Sequence, residues 1–373
     1  MNAQTAPSLL AASDAIEAIK HAVNTICQPH WFFILSVAVL VVFLLGYRVL
    51  TRPAVAGSLA AAFGLFFVVS CFDPNFQAIV KKADNVPIVM MMFAVGFFLW
   101  LSFRQAAIND ERMTHGQPLI EAGADDKVLV WPDLVYTELI CLVLFTAFLT
   151  VWTIVLAAPL EQPADPNVAP NPAKAPWYFL GLQEMLVYFD PWLAGVVLPG
   201  LIIVGLIAVP YMDKNPRGNG YYTFKERPFA VGTFLFGFVI LWVVLIIFGT
   251  FLRGPNWNFF GPYEYWDPHR PAALLNRQMR DLFWIGFLGR PLPAHYLLRE
   301  LPGIVLLGCF FTFGPLVLRA VFFRKLYRQI GFLRYSLLSM LLLVMLLMPI
   351  KMMLRWTLNL QYVMGITEWF LNV

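Results

Sequence analysis

Eight stretches of this chain are apolar over roughly the length needed to cross a ~30 Å hydrocarbon core at ~1.5 Å per helical residue. They are Trp31–Leu50, Ala54–Phe72, Pro87–Phe103, Leu134–Leu156, Trp192–Met212, Phe229–Phe251, Leu301–Val321 and Tyr335–Ile350, the last extended to about Leu354. Inside lipid every backbone polar group must be satisfied within the protein, which helices do segment by segment. The expected fold is therefore an all-α integral membrane protein with about eight transmembrane helices. Composition agrees: 60% of the 373 residues are hydrophobic and 13% are charged, against about 25% charged in a soluble domain. Pro199, Pro315 and Pro349 fall inside spans and predict kinks that neighbouring helices must satisfy. Residues 1–30 lack a basic stretch followed by an apolar core, so they do not read as a secretory signal. Pro7–Cys27 reads instead as a surface or interfacial helix.

Charge and cysteine usage exclude several function classes. A formal charge of +4 on so few charged residues gives no nucleic-acid footprint. Cys27, Cys71, Cys141 and Cys309 form no Cys-x-x-Cys and no Cys-x-x-Cys-His, so the chain alone offers no covalent c-type haem, zinc ribbon or cysteine-ligated iron–sulfur cluster. His21, His30, His115, His269 and His295 all lie outside the apolar runs. A haem held between helices by two imidazoles is thus not expected here. Cys27 and His30 make a Cys-x-x-His that reads more readily as incidental than as metal-binding. No metal site is expected.

Basic loops stay on the cytoplasmic side. Alternate loops carry fourteen Lys and Arg against twelve on the opposite set, six of those twelve within Arg253–Arg299. The bias places both termini and residues 157–191 outside, and Tyr211–Pro228 inside. Within 254–300, Trp257, Phe259, Phe260, Tyr263, Tyr265 and Trp266 cluster among prolines and read as an interfacial belt, with partner contact as the alternative. Leu275, Met279, Leu282 and Gly286 then share a helical stripe, which predicts an amphipathic helix on the membrane plane.

Acidic residues at a membrane edge are candidates for function. Glu138, one turn into the fourth run and near Asp133, is either a helix-start carboxylate favoured by the dipole or an inner-side quinone contact. The most informative stretch is the loop before Trp177. Prolines 159, 163, 166, 170, 172 and 176 stiffen it toward polyproline II, and Pro176 suits the first turn of a helix beginning there. Trp177, Leu180 or Gly181, and Glu184 then fall on one helical face. A rigid loop that brings an aromatic group and a carboxylate to the membrane edge suits an amphipathic, proton-releasing ligand. Glu161 and Asp165, further upstream, read as loop caps or solvated groups.

Three motifs, in order, carry a resemblance: Trp131-Pro132-Asp133-Leu134-Val135-Tyr136 opening a span, Pro163-Ala164-Asp165-Pro166-Asn167-Val168-Ala169-Pro170, and Trp177-Tyr178-Phe179. Over about residues 128–253 the chain resembles the C-terminal half of cytochrome b, and most of all its separate form, subunit IV of cytochrome bc-type quinol-oxidising complexes. The organisation expected is a surface segment (1–30), an extra three-helix segment (31–127), the subunit-IV-like domain (128–253), an outer aromatic segment (254–300) and two extra spans (301–373).

The resemblance implies a bacterial cytoplasmic membrane and a quinol:cytochrome c oxidoreductase-type complex. It implies partners: a four-histidine cytochrome b N-terminal-half subunit bearing the b haems, a Rieske-type iron–sulfur protein and a c-type cytochrome. Quinone would be shared with these partners, and membrane lipids would surround the whole. In the family a loop Glu precedes the Trp-Tyr pair and accepts a proton from quinol; here Pro176 stands at that place and cannot. Pro176, Trp177, Tyr178 and Phe179 are then candidate quinone contacts, Glu138 an inner-side contact, and Glu184 the replacement proton acceptor, since Lys174 is ordinarily protonated at neutral pH. The alternative is a non-catalytic membrane anchor or assembly subunit. A transporter would predict inverted repeats and broken helices with buried charge, which the sequence does not show.

Overall fold

The computed structural model describes residues 5–123, 128–156, 163, 165–167, 169–217, 222–271, 276–366 and 371–373, with side chains from residue 14 onward. Among these, eight helices are long and apolar enough to cross a membrane: Pro29–Leu50, Pro53–Ser70, Asn85–Thr114, Val130–Val155, Leu193–Met212, Pro228–Leu252, Leu301–Val321 and Arg324–Leu358. They are called here the first to eighth spans. The chain is an all-α multi-pass membrane protein. The first, second and sixth spans begin on proline within their first helical positions, where a missing N–H costs nothing. Before Pro199 the fifth span widens to π winding over Leu193–Val197. That is one of the ways a helix absorbs the hydrogen bond a proline removes.

The sixth span is the centre of the bundle, with 39% of its apolar window buried. Its Leu235, Ile240, Val244, Leu245, Phe248 and Leu252 pack with Phe33 and Leu40 of the first span, Phe103 and Ala107 of the third, and Met348 and Met352 of the eighth. The fourth span is its opposite: none of its apolar window is buried.

Contacts sort the connections onto two faces. On one face, the Tyr263 and Ser70 hydroxyls share a hydrogen bond at 2.6 Å, the Tyr263 carbonyl accepts the side-chain amide of Asn75 at 3.0 Å, and the Tyr263 N–H donates to Asn24 Oδ1 at 3.0 Å. On the other face, Asp110 is fully buried where the third span leaves the bundle. Its carboxylate accepts the Tyr47 hydroxyl at 2.7 Å and the backbone N–H groups of Phe224 and Lys225 at 3.2 and 3.1 Å. Asn109 beside it donates to Glu121 at 2.7 Å and to the Tyr222 carbonyl at 2.9 Å. The third span therefore runs on to Thr114, past the end of its apolar stretch, because this polar end is satisfied by protein instead of lipid.

Several expectations are corrected. The amphipathic helix is not continuous. Arg277–Gln278 is a short strand paired in parallel with Leu360–Tyr362, and only the π-wound turn Asp281–Phe287 follows as a helix; Leu275 lies outside the described residues. Most of the aromatic belt turns inward. Phe260 is buried and Trp257, Phe259, Tyr263 and Trp266 are half-buried, while Tyr265 stays 72% exposed. His30 enters the first turn of the first span, beside Trp31 at that helix's end and not at membrane depth. Burial pushes the Cys27 thiol up to about 11, which disfavours the thiolate a metal would need.

Candidate functional site

The site is assembled on the helix Trp177–Met185 and the end of the sixth span. Pro176, in extended conformation, caps this short helix instead of sitting in its first turn. The loop before it is clipped to the helix by one side chain. Gln183 Oε1 accepts the Ala175 N–H at 2.8 Å, and Gln183 Nε2 donates to the Ala173 carbonyl at 2.8 Å. The helix lies against the sixth span through glycines on both sides. A Cβ at Gly181 would stand 3.5 Å from Ile246, and one at Gly249 only 3.2 Å from the Leu180 carbonyl oxygen. Small residues at such crossings let backbones approach closely. Gly249→Val overpacks this contact at a cost of about 1–3 kcal/mol. The expected result is faster proteolysis of the 173–190 region in the variant, with Gly249→Ala affected less.

This seating turns Leu180, Gly181, Glu184 and Met185 inward and leaves Trp177, Tyr178 and Phe179 facing out at 38%, 47% and 49% exposure. The Tyr178 and Phe179 ring centroids are 4.5 Å apart, and those of Trp177 and Tyr178 are 5.7 Å apart. The helix therefore presents three adjacent aromatic side chains at its surface.

Glu184 is fully buried, so the single helical face expected for Trp177 and Glu184 is corrected: the two turn to opposite sides. Arg253 grips it with Nη2 at 2.7 Å from Oε1 and Nε at 3.0 Å from Oε2. The Tyr188 hydroxyl donates to Oε1 at 2.8 Å and the Trp257 indole N–H to Oε2 at 3.2 Å. A carboxylate held by this many donors is a strut, and a proton would have to displace one of them to reach it. The partner comes from the sixth span's end: a π turn, Phe248–Leu252, closes with the Arg253 N–H on the Phe248 carbonyl at 2.9 Å. A hairpin-like turn then folds Trp257 back. Trp257 sits at φ +56°, an uncommon conformation for a side-chain-bearing residue. It is held there by its indole bond to Glu184 and by its carbonyl, which accepts Arg253 Nη1 at 2.6 Å. The Arg253 guanidinium also lies 3.7 Å from the Phe259 ring centre. Burial, reinforced by the Glu184 charge, pushes the Tyr188 phenol well above its ordinary range, which keeps it a donor.

Lys174 behaves unlike an ordinary lysine. Its Nζ donates to the Thr250 carbonyl at 2.9 Å and lies 4.8 Å from the Trp266 ring centre. No carboxylate among the described residues pairs with it directly. Burial, with the cations Lys82 and Arg253 adding to it against Glu184, lowers its pKa to about 7. The expectation of a fully protonated amine at neutral pH is corrected. Glu138 lies exposed in the first turn of Val135–Val155, the α-helical part of the fourth span, and the structure brings it to no other candidate residue. Asp165 accepts the Asn167 N–H at 2.9 Å as a local turn; Glu161 lies outside the described residues.

Arg253 and Tyr188 were not singled out as site residues from sequence, and Trp257 was read only as part of the aromatic belt. One signal was available: Arg253 is the first charge after an apolar run of more than twenty residues, and a charge at that depth requires a partner.

Residues 163–263 match the family described as Cytochrome b(C-terminal)/b6/petD. This segment resembles the C-terminal half of cytochrome b. The match begins after the fourth span and takes in the Glu184–Arg253–Trp257 cluster. Two relatives are proteins named "Menaquinol:cytochrome c reductase cytochrome c subunit". The one from Geobacillus thermodenitrificans is 32% identical over 111 residues, 28% of this chain and 42% of the relative. The one from Bacillus subtilis (strain 168) is 31% identical over 112 residues, again 28% and 42%. The chain thus spans about two fifths of the length of the curated relatives it matches. No solved structure matches it.

Proposed function

We propose that this chain is a membrane subunit of a quinol:cytochrome c oxidoreductase-type, cytochrome bc-type complex of a bacterial cytoplasmic membrane, and that it forms one wall of the quinol oxidation site. The observation that carries the reading is the helix Trp177–Met185. It is anchored from behind by a buried ion pair and shows three aromatic rings outward. An aromatic wall of fixed geometry suits a flat quinol head group, since binding sites are largely apolar surfaces with a few placed polar groups. The loop 157–191 faces the outer side, following the bias in basic residues. Quinol gives up two protons there, and its two electrons pass singly to a Rieske-type iron–sulfur centre and a b haem on partner subunits, with a c-type cytochrome downstream.

The bare fourth span supports assembly with such partners, because all of its residues from Leu142 to Val155 are exposed within this chain. The alternative, a non-catalytic anchor, draws on the full engagement of Glu184 and on proline at position 176. In that case the complex assembles but quinol does not contact Trp177–Phe179. A cross-linker on Cys141, exposed midway along the fourth span, separates partner from lipid. The expected product, in the complex isolated from its own membrane, is an adduct with the subunit that holds b haem. An intact complex without that adduct contradicts the arrangement. The chain expressed alone is expected to show no Soret band of a bis-histidine haem.

A further inference from the structure

We infer that Lys174 takes the first proton from the quinol, in a small polar site it forms with Thr250 and Trp266. The inference rests on the function proposed above. Oxidising a quinol requires a base within ~2.6–3.2 Å of its hydroxyl, directly or through one water. Near the Trp177–Phe179 surface the ionisable groups are few. Glu184 is committed to Arg253, Tyr188 and Trp257. Tyr188 is a buried donor, and Arg253 remains a cation. Lys174 differs from all three: it is half-buried, three residues before Trp177, and has no carboxylate within ion-pair distance among the described residues.

Its surroundings are those of a site that receives a polar atom. Lys174 Nζ holds the Thr250 carbonyl at 2.9 Å. The Thr250 hydroxyl, on a residue only 1% exposed, and the Trp266 indole nitrogen are both buried with no hydrogen-bond partner among the described residues. Buried polar groups are rarely left unpaired. Both residues touch Lys174, through the Thr250 carbonyl and the Trp266 ring, so a quinol oxygen brought to the amine would have these two unpaired groups as candidate partners. The Gln183 clip fixes the backbone on either side of Lys174, so the amine is positioned and not merely tethered.

The step balances as follows. The neutral amine's lone pair takes the O–H proton and forms the ammonium, and the O–H bonding pair stays on oxygen as quinolate. The two electrons then leave one at a time to the iron–sulfur centre and the b haem named above. The remaining O–H proton passes to water as the second electron leaves, the product is the neutral quinone, and the ammonium releases its proton to the outer face. The amine must be neutral to act, and its pKa of about 7 makes it so over the upper half of the physiological range. The charged groups acting on it are Lys82, which follows the helix Pro74–Val80, Arg253 at the end of the sixth span, and Glu184 behind it. The loop bearing Trp266 contributes Asp267 and a Glu264–Arg270 pair.

The test uses the whole complex, with menaquinol as donor and a c-type cytochrome as acceptor, and haem content as the check on assembly. Wild-type turnover is expected to rise with pH through about 7. Lys174→Arg keeps a cation and its hydrogen bond but cannot accept a proton, and is expected to lose at least about tenfold in rate, toward the ~10²–10⁴-fold typical of a lost general base. Lys174→Glu is expected to restore turnover and move the acid limb to lower pH. The reverse pattern, with Arg active and Glu inactive, would mean a structural cation and overturn the inference. So would a wild-type profile flat through pH 7, or an unchanged limb in Lys174→Glu. A wild-type complex with full haem content that does not oxidise menaquinol overturns the proposed function, and this inference with it.

Discussion

Arg253→Met is expected to unseat the helix Trp177–Met185. The guanidinium is 7% exposed and the Glu184 side chain it grips is fully buried. Removing one partner of a buried pair leaves the other charge uncompensated, which typically costs about 3–5 kcal/mol, whereas replacing both with apolar groups of similar volume is often near neutral. Glu184→Gln alone is expected to destabilise as well, since the amide cannot match two charge-assisted contacts while also accepting from Tyr188 and Trp257. The double variant Glu184→Leu with Arg253→Met is expected to recover most of the loss, because the pair is a strut and not a reagent. Thermal denaturation of the purified complex and the rate of proteolysis at residues 173–190 measure this. A double variant as unstable as Arg253→Met would show that the hydrogen bonds to Tyr188 and Trp257, and not the ion pair, hold the helix.

The second large effect is expected at the opposite face. Asp110→Ala removes the acceptor for the Tyr47 hydroxyl and for the N–H groups of Phe224 and Lys225. Each buried group left unpaired costs about 1–3 kcal/mol. The loop leading into the sixth span is therefore expected to detach, with faster amide exchange at Phe224 and Lys225 and lower thermal stability overall. Asp110→Asn keeps one acceptor oxygen and is expected to lose less. Unchanged exchange at both amides in Asp110→Ala would show that the loop is held by its aromatic packing, where Phe224 meets Tyr47 at 5.0 Å and Phe103 at 5.8 Å between ring centres.

The two clusters show what could be read before the structure was known. Spans are legible because their signal is local: an apolar run of sufficient length suffices, and all eight reappear, Leu301–Val321 with the same ends and the other seven with shifted ones. The ends shift where polar residues continue a helix and are satisfied by protein, as at Asn109 and Asp110. The helix beginning at Trp177 was legible from Pro176 and the change of pattern after it, but the inward turn of Glu184 was not: its spacing groups it with Trp177 as well as with Leu180 and Gly181, and the structure buries Glu184 while Trp177 turns outward. The partner of Glu184 was not legible, because Arg253 lies 69 residues away in sequence and had been counted only for its loop's charge. The strand Arg277–Gln278 escaped for the same reason. Its ladder partner is Leu360–Tyr362, and a two-residue strand carries no periodicity of its own. Lys174 was set aside on its ordinary solution pKa; the burial that lowers it, with Lys82 and Arg253 nearby, comes from chain distant in sequence and leaves no local signal.

One measurement bears most directly on the proposal that this chain forms a wall of a quinol oxidation site. The complex is isolated from its own membrane through a tag on this chain, and reduction of a c-type cytochrome by menaquinol is followed alongside its b-haem spectrum. The account predicts steady reduction, lowered when Trp177 and Tyr178 are both replaced by alanine while haem content holds. A complex with its haem complete, whose turnover ignores those two replacements, would contradict it.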